Sequence, residues 1–252
     1  MCTGVAAMQW LAAGLIFLVS GFFAMLGMGG GMLHVPILIW LGYDLKQQAQ
    51  PIGILLNGLT GLVALVTYAR HRLVDWKGGL PMAGAALVLA PAGALTARLL
   101  PDRWLVGLFA GVVLAAAIRT LRSAADPDPD HRPPLGRRLL LGSLGAGLAA
   151  FLGGMLGLGG GTFVSPLLMW MGYPTKEAVA TTAYIVTFSS FSGFVGRMGY
   201  LSASWSLVLL LALAAVAAAA AGSHLMATRA KPHWVKVAYS MLLMGVGVKL
   251  LW

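Results

Sequence analysis

The chain has 252 residues, of which 59% are hydrophobic and only 10% charged, and its mean hydropathy is +0.86. A soluble domain carries about 25% charged residues, so this chain has too little polar surface to cover itself and reads as a polytopic membrane protein. The net charge of +10 fits a positive-inside topology in contact with an anionic lipid bilayer; it also favours an anionic solute, and for a chain this apolar no nucleic-acid partner is expected.

The single cysteine, Cys2, rules out an intrachain disulfide or a thiolate cluster. The five histidines show no HxxxH or HExxH spacing, so neither a metal nor another cofactor is expected. No charge precedes Asp44. A secretory signal wants a positive n-region, so the first apolar stretch is expected to be a retained span.

In chain order, apolar segments fall at 6–26, 31–43, 48–69, 78–99, 103–120, 139–156, 161–173, 178–198, 205–228 and 234–252. A full span needs about 20 apolar residues. Segments 31–43 and 161–173 are too short to cross alone, and each overlaps or follows a Gly-Gly-Gly run. Between the halves, RTLRSAADPDPDHRPPLGRR at 119–138 is charged and proline-rich. It cannot sit in lipid and reads as a flexible loop. The chain divides into a first transmembrane repeat (1–122), a polar Pro/Asp-rich linker (123–136) and a second repeat (137–252). The expected fold is all-α, each half holding about four transmembrane helices plus a short helix after a Gly-rich break.

The halves match. Shifting 25–43 (MLGMGGGMLHVPILIWLGY) by 130 onto 155–173 (MLGLGGGTFVSPLLMWMGY) leaves eleven of nineteen residues identical. The match continues at a shift of 129, with Ala49 facing Ala178 and Trp76 facing Trp205. Such duplication is common in secondary transporters. Four full spans per half set both halves in the same orientation, unless the short segments change the parity. With the linker and the 70–77 loop cytoplasmic, Lys46, Arg98, Arg103, Lys176, Arg229, Lys231 and Lys236 fall outside.

Gly29, Gly30 and Gly31, with Pro36 five residues on, are expected to break a helix, as are Gly159, Gly160 and Gly161 with Pro166. In lipid a broken backbone survives only when buried in protein or lining a wet cavity. A helix restarting there aims free N–H groups and a positive dipole end into that space, a ready anion site. Close helix packing through GxxxG is the plainer reading of the same glycines. A nucleotide loop is excluded, because no Lys-Ser or Lys-Thr follows either run.

Each short segment leads into an unusually polar span. Asn57 and Thr60 lie one turn apart on the first and share a face. Thr181, Thr182, Thr187, Ser189, Ser190 and Ser192 stud the second. Such groups can replace the hydration shell of a small oxyanion, or simply bond their own helix. The expected lining is Asn57, Thr60, Thr181, Thr182 and Ser189 beside the two glycine runs. His34, whose counterpart is Val164, is a candidate for gating or proton coupling. Arg197 closes the polar span and is placed to attract an anion at the mouth. No GxSxG surrounds the serines, which argues against a membrane enzyme.

The twin blocks FAMLGMGGGMLHVPILIWLGY and GGMLGLGGGTFVSPLLMWMGY, each followed by a polar span and a later Trp, resemble the sulfite exporter TauE/SafE family. The resemblance covers nearly the whole chain. It implies a duplicated multi-span transporter in a bacterial cytoplasmic (inner) membrane, of a family that moves small sulfur-containing oxyanions and organosulfonates such as sulfite or sulfoacetate and several of whose members export them; export is the expected direction, and the paired breaks favour alternating access. Residues 178–182 read AVATT and match the family's hydroxyl-bearing pattern loosely; AQPIG at 49–53 lacks the hydroxyl pair. An anion channel, an uptake carrier for another small anion and a homodimeric assembly stay open.

Overall fold

The structure is a computed structural model that describes residues 2–96, 127–156, 161–195 and 198–251, with isolated positions between 107 and 122. Among these residues every regular element is helical, as the composition requires. The elements are α1 (Cys2–Met25), α2 (Gly31–Trp40), α3 (Gln50–Arg70), α4 (Trp76–Thr96), α5 (Ser143–Leu156), α6 (Gly161–Trp170), α7 (Thr175–Val195), α8 (Trp205–Thr228) and α9 (Pro232–Leu251). Helix α3 is entered through a π-helical turn at Leu45–Ala49, and α5 through Leu135–Arg137 and a π-helical turn at Arg138–Gly142. Five described stretches are long and apolar enough to cross a bilayer: Met8–Met25, Gln47–Arg70, Leu135–Gly154, Thr175–Val195 and Trp205–Thr228.

The short segments are real helices. α2 and α6 have ten residues each, which at 1.5 Å per residue is about 15 Å, half the hydrocarbon thickness. Both end in the same way. The N–H of Tyr43 donates to the Leu38 carbonyl and that of Gly42 to Ile39; Tyr173 and Gly172 repeat this onto Leu168 and Met169. These are paired C-terminal caps with a left-handed glycine (Gly42 φ 83°, Gly172 φ 94°). The repeated Gly-Tyr of the sequence is therefore a helix stop, used twice.

Helices α3 and α7 run antiparallel along each other. Ile54 meets Gly193, Asn57 meets Ser190 and Gly61 meets Thr187, while the backbone just past α3 at Asp75 meets Thr181. These two helices correspond in the sequence match, so of the two parities left open by the sequence it is the changed one that the structure adopts. Each ten-residue helix counts in the parity, and the equivalent elements of the two halves point opposite ways. α4 instead packs parallel to α5, with Met82 on Gly142, Ala85 on Gly147 and Ala90 on Gly154. α1 packs on α8 through Gly21, Ala218 and Gly222. Two contacts 129 or 130 residues apart look alike: a Cβ at Gly93 would lie 2.0 Å from the Phe151 carbonyl oxygen, and one at Gly222 would lie 2.0 Å from that of Gly21. Small residues let backbones approach where no hydrophobic effect drives helices together.

The antiparallel pairing also redistributes charge. The α3–α4 loop, the linker, the start of α7 and the α8–α9 turn meet at one end of the bundle, joined by Arg138–Asp75, Arg132–Glu177, Lys236–Asp128 and a bond from Lys176 to the Ala227 carbonyl. Lys176, Arg229, Lys231 and Lys236 thus share the face of Arg70, Arg72, Lys77 and the linker arginines, which corrects their assignment to the outside. The positive-inside rule predicts that this end, the cytoplasmic end hereafter, faces the cytoplasm. At the other end the 43–49 turn meets Ser202, whose N–H donates to the Gln47 carbonyl.

Gly222→Leu is expected to lower the thermal midpoint of the detergent-solubilised protein, at a cost of about 1–3 kcal/mol or more from overpacking. Gly84→Leu, at an exposed position with nothing within 4 Å, is expected to leave it unchanged. Equal midpoints for the two variants would contradict the α1–α8 contact.

Candidate functional site

The first break is built residue by residue. α1 stops in a paired cap: the N–H of Met28 donates to the Phe23 carbonyl and that of Gly27 to Ala24, with Gly27 left-handed at φ 69°. A Cβ at Gly27 would lie 2.2 Å from the Val179 carbonyl oxygen, so the turn is pressed against α7. Gly29 (φ 79°) and Gly30 (φ 92°) complete the reversal, and Gly31 is already the first residue of α2. The break therefore occupies Gly27–Gly30, starting two residues before the triple glycine. Pro36 and Pro166 sit at the sixth position of α2 and α6.

The exposed ends are satisfied from across the bundle. The Tyr68 hydroxyl of α3 donates to the Ala24 carbonyl (2.6 Å), and the Ser165 hydroxyl of α6 donates to Leu26 (3.2 Å). The short helix of the second half thus holds the broken turn of the first. At the restart, the Gly31 N–H donates to Asn57 Oδ1 (2.6 Å), and Asn57 Nδ2 donates to Ser190 Oγ (2.7 Å). Asn57 is 1% exposed and Ser190 1%. A buried relay therefore runs from the α2 N-terminus through α3 to α7. His34 is also fully buried on α2, and its Nε2 shares a 3.0 Å hydrogen bond with the Ser20 hydroxyl of α1. Thr60, one turn along from Asn57, is fully buried with no partner for its hydroxyl.

The remaining expected residues are dispersed. The Thr182 hydroxyl donates to the Ala178 carbonyl and the Ser189 hydroxyl to Val186, both within α7. Gly161 opens α6; Gly159, Gly160 and Arg197 lie outside the described residues. Thr181 Oγ1 accepts the Asp75 N–H (3.1 Å) at the cytoplasmic end. There Asp75 is 1% exposed and takes bonds from Arg138 Nη1 (2.7 Å), the Tyr173 hydroxyl (2.9 Å) and the Gly78 N–H (3.1 Å). Burial alone would raise its carboxyl, but the Gly78 N–H, Arg138 and Tyr173 together hold it below the ordinary carboxylate range.

Ser190 stood in the polar cluster read from sequence, yet nothing marked it above Ser189. Ser20 and Ser165 are lone hydroxyls in apolar stretches, the weakest signal of all. The linker, expected to be a flexible loop, is pinned: Asp128 accepts the Thr175 N–H and hydroxyl at the start of α7, and Arg132 pairs with Glu177.

A broken helix whose restart is held by a buried polar relay, in a chain this apolar, fits a multi-pass membrane transporter. The family model described as Sulfite exporter TauE/SafE matches residues 12–250, and the chain belongs to that family, one of transporters rather than enzymes. It is 25% identical over 247 residues to the "Probable membrane transporter protein y4hK" of Sinorhizobium fredii, covering 94% of this chain and 95% of the relative. It is 28% identical over 214 residues to the "Probable membrane transporter protein YunE" of Bacillus subtilis, covering 74% and 77%. A 43-residue stretch is 49% identical to "Sulfite exporter TauE/SafE family protein 6" of Arabidopsis thaliana, covering 17% and 10%. No solved structure gives a significant match.

Asn57→Ala strips a buried N–H of its acceptor and is expected to cost about 1–3 kcal/mol of stability, with Ser190→Ala costing less. The two are expected to be non-additive in a double-mutant cycle read by thermal midpoint. Strict additivity would mean the side chains do not interact.

Proposed function

We propose that this protein is a secondary transporter that exports a small sulfur-containing oxyanion or organosulfonate across the cytoplasmic membrane by alternating access. One observation carries the reading: the restart of the broken helix is held by Asn57, which is itself held by Ser190 of the other half. An anion at the positive end of α2 meets neutral donors and a helix dipole instead of a fixed counter-charge. That suits a solute that must be released as readily as it is bound. Thr60 supports the same reading, because a buried hydroxyl without a protein partner is rare and marks a place where a ligand or water completes the bonding. Among the described residues with known surroundings, the acidic side chains sit at the ends of the bundle: Asp44, Asp75, Asp128, Asp130 and Glu177. None of these opposes an anion at Asn57. We further propose that access alternates by movement along α3 and α7, because the α1–α8 and α4–α5 packing already ties the two sequence halves together. The sulfur chemistry of the cargo and the exporting direction rest on the family's name.

Sulfite or sulfoacetate is expected to raise the thermal midpoint of the purified protein, since a ligand at about 100 times its Kd adds roughly 2.7 kcal/mol to the folded state. Thr60→Val loses no internal hydrogen bond, so it is expected to keep the ligand-free midpoint while abolishing the shift. A shift that survives in Thr60→Val removes that hydroxyl from the site. No shift with any small anion contradicts the proposal.

A further inference from the structure

The two ends of the bundle are closed by different chemistry. At the outer end the halves meet through exposed, neutral bonds: the Ser202 N–H to the Gln47 carbonyl (3.1 Å) and the Ser202 hydroxyl to Gln47 Oε1 (3.1 Å). At the cytoplasmic end they meet through charge. Asp75, in the α3–α4 loop of the first half, is buried beneath Arg138, the Tyr173 hydroxyl at the end of α6 and the Thr181 hydroxyl of α7. Arg132 lies across both halves, with Nη1 3.6 Å from Asp75 Oδ1 and Nε bonded to Glu177 Oε2. Asp128 binds the start of α7 and lies 3.7 Å from Lys236 Nζ.

Among the described residues, the two arginines paired with Asp75 come from the segment that joins the halves (Arg132) and from the turn just past it that enters α5 (Arg138). The linker therefore acts as a strap, its two arginines drawn onto one buried carboxylate and onto α7. A buried ion pair contributes little net stability when intact, but removing one partner leaves an uncompensated charge that drives the site to reach water. Such a contact suits a joint that exists in one of two states and is replaced by hydration in the other. A permanent seam needs only the small-residue packing that already joins α1 to α8 and α4 to α5.

We propose that the Asp75–Arg138–Arg132–Glu177 cluster is the latch of the cytoplasmic gate, closed in this structure, and that linker residues 128–138 are its strap. This rests on the alternating-access reading above. Opening separates the α3–α4 loop from the start of α7 and the α8–α9 turn, and it hydrates Asp75 together with its arginines. The outer contacts, neutral and already wet, stay free to part on their own.

The test is made on the full chain in lipid nanodiscs, in a Cys2→Ser background, with spin labels at Lys77→Cys and Arg229→Cys. Both positions are exposed and lie on opposite halves at the latched end. With the latch intact, one narrow distance distribution is expected. Asp75→Asn and Arg138→Gln are each expected to add a longer-distance population, raised severalfold over the parent. Arg138→Lys, which keeps the charge, is expected to retain the narrow one. Should Asp75→Asn fail to fold, Glu177→Gln, at the part-exposed arm, carries the same expectation with a smaller longer-distance population. A distance unchanged in the folded neutralising variants, even with a lowered thermal midpoint, makes the cluster a static staple and overturns the proposal. The distances are read without any solute, so a failure to bind or carry anions counts against the transport reading and leaves this result interpretable.

Discussion

A helix interrupted inside a bilayer must find a partner for every backbone group it frees, because lipid offers none. The rest of this structure depends on how that demand is met. The carbonyls at the end of α1 are taken by Tyr68 and Ser165, and the first N–H of α2 by Asn57. Two of these partners come from α3 and one from α6, so the break is stable only once both halves of the chain are assembled around it. On the proposed reading, Asn57 serves both the break and the solute.

The same demand accounts for the topology. A reversal at Gly27–Gly30 lets a ten-residue helix return part-way through the membrane, and that extra leg reverses the direction in which the chain enters α3. α3 and α7 consequently cross the bundle antiparallel, which brings Asn57 beside Ser190. It also gathers the linker, the α3–α4 loop and the start of α7 at one end. A central polar relay and a charged cytoplasmic seam are thus two results of a single geometric fact, separated along the same pair of helices.

Much of this was legible in the sequence. Composition gave the class, the first glycine run located the described break, and Asn57 stood out because a buried amide has to find partners. What was not legible depended on pairing between distant segments. Asn57 and Ser190 are 133 residues apart, and only an antiparallel α3–α7 register joins them. Ser165 and Ser20 look like incidental hydroxyls until the carbonyl of Leu26 and the ring of His34 are placed beside them. Asp75 reads as an ordinary loop carboxylate, and the linker as solvated, because ion pairing across 57 or 63 residues leaves no local pattern. Thr181 and Thr182 illustrate the converse. Adjacent hydroxyls on one polar helix point to different tasks, one fixing the α3–α4 loop and the other bonding its own backbone.

The central claim is that the buried relay lies on the path of the solute. The most direct measurement is the reactivity of Ser190→Cys, in a Cys2→Ser background, toward a membrane-impermeant thiol reagent applied separately to right-side-out and inside-out vesicles. The account predicts labelling that is reached from water despite burial, that differs between the two faces, and that slows when sulfoacetate is present. A thiol that stays unreactive from both sides, or reacts at a rate no small anion alters, would contradict it.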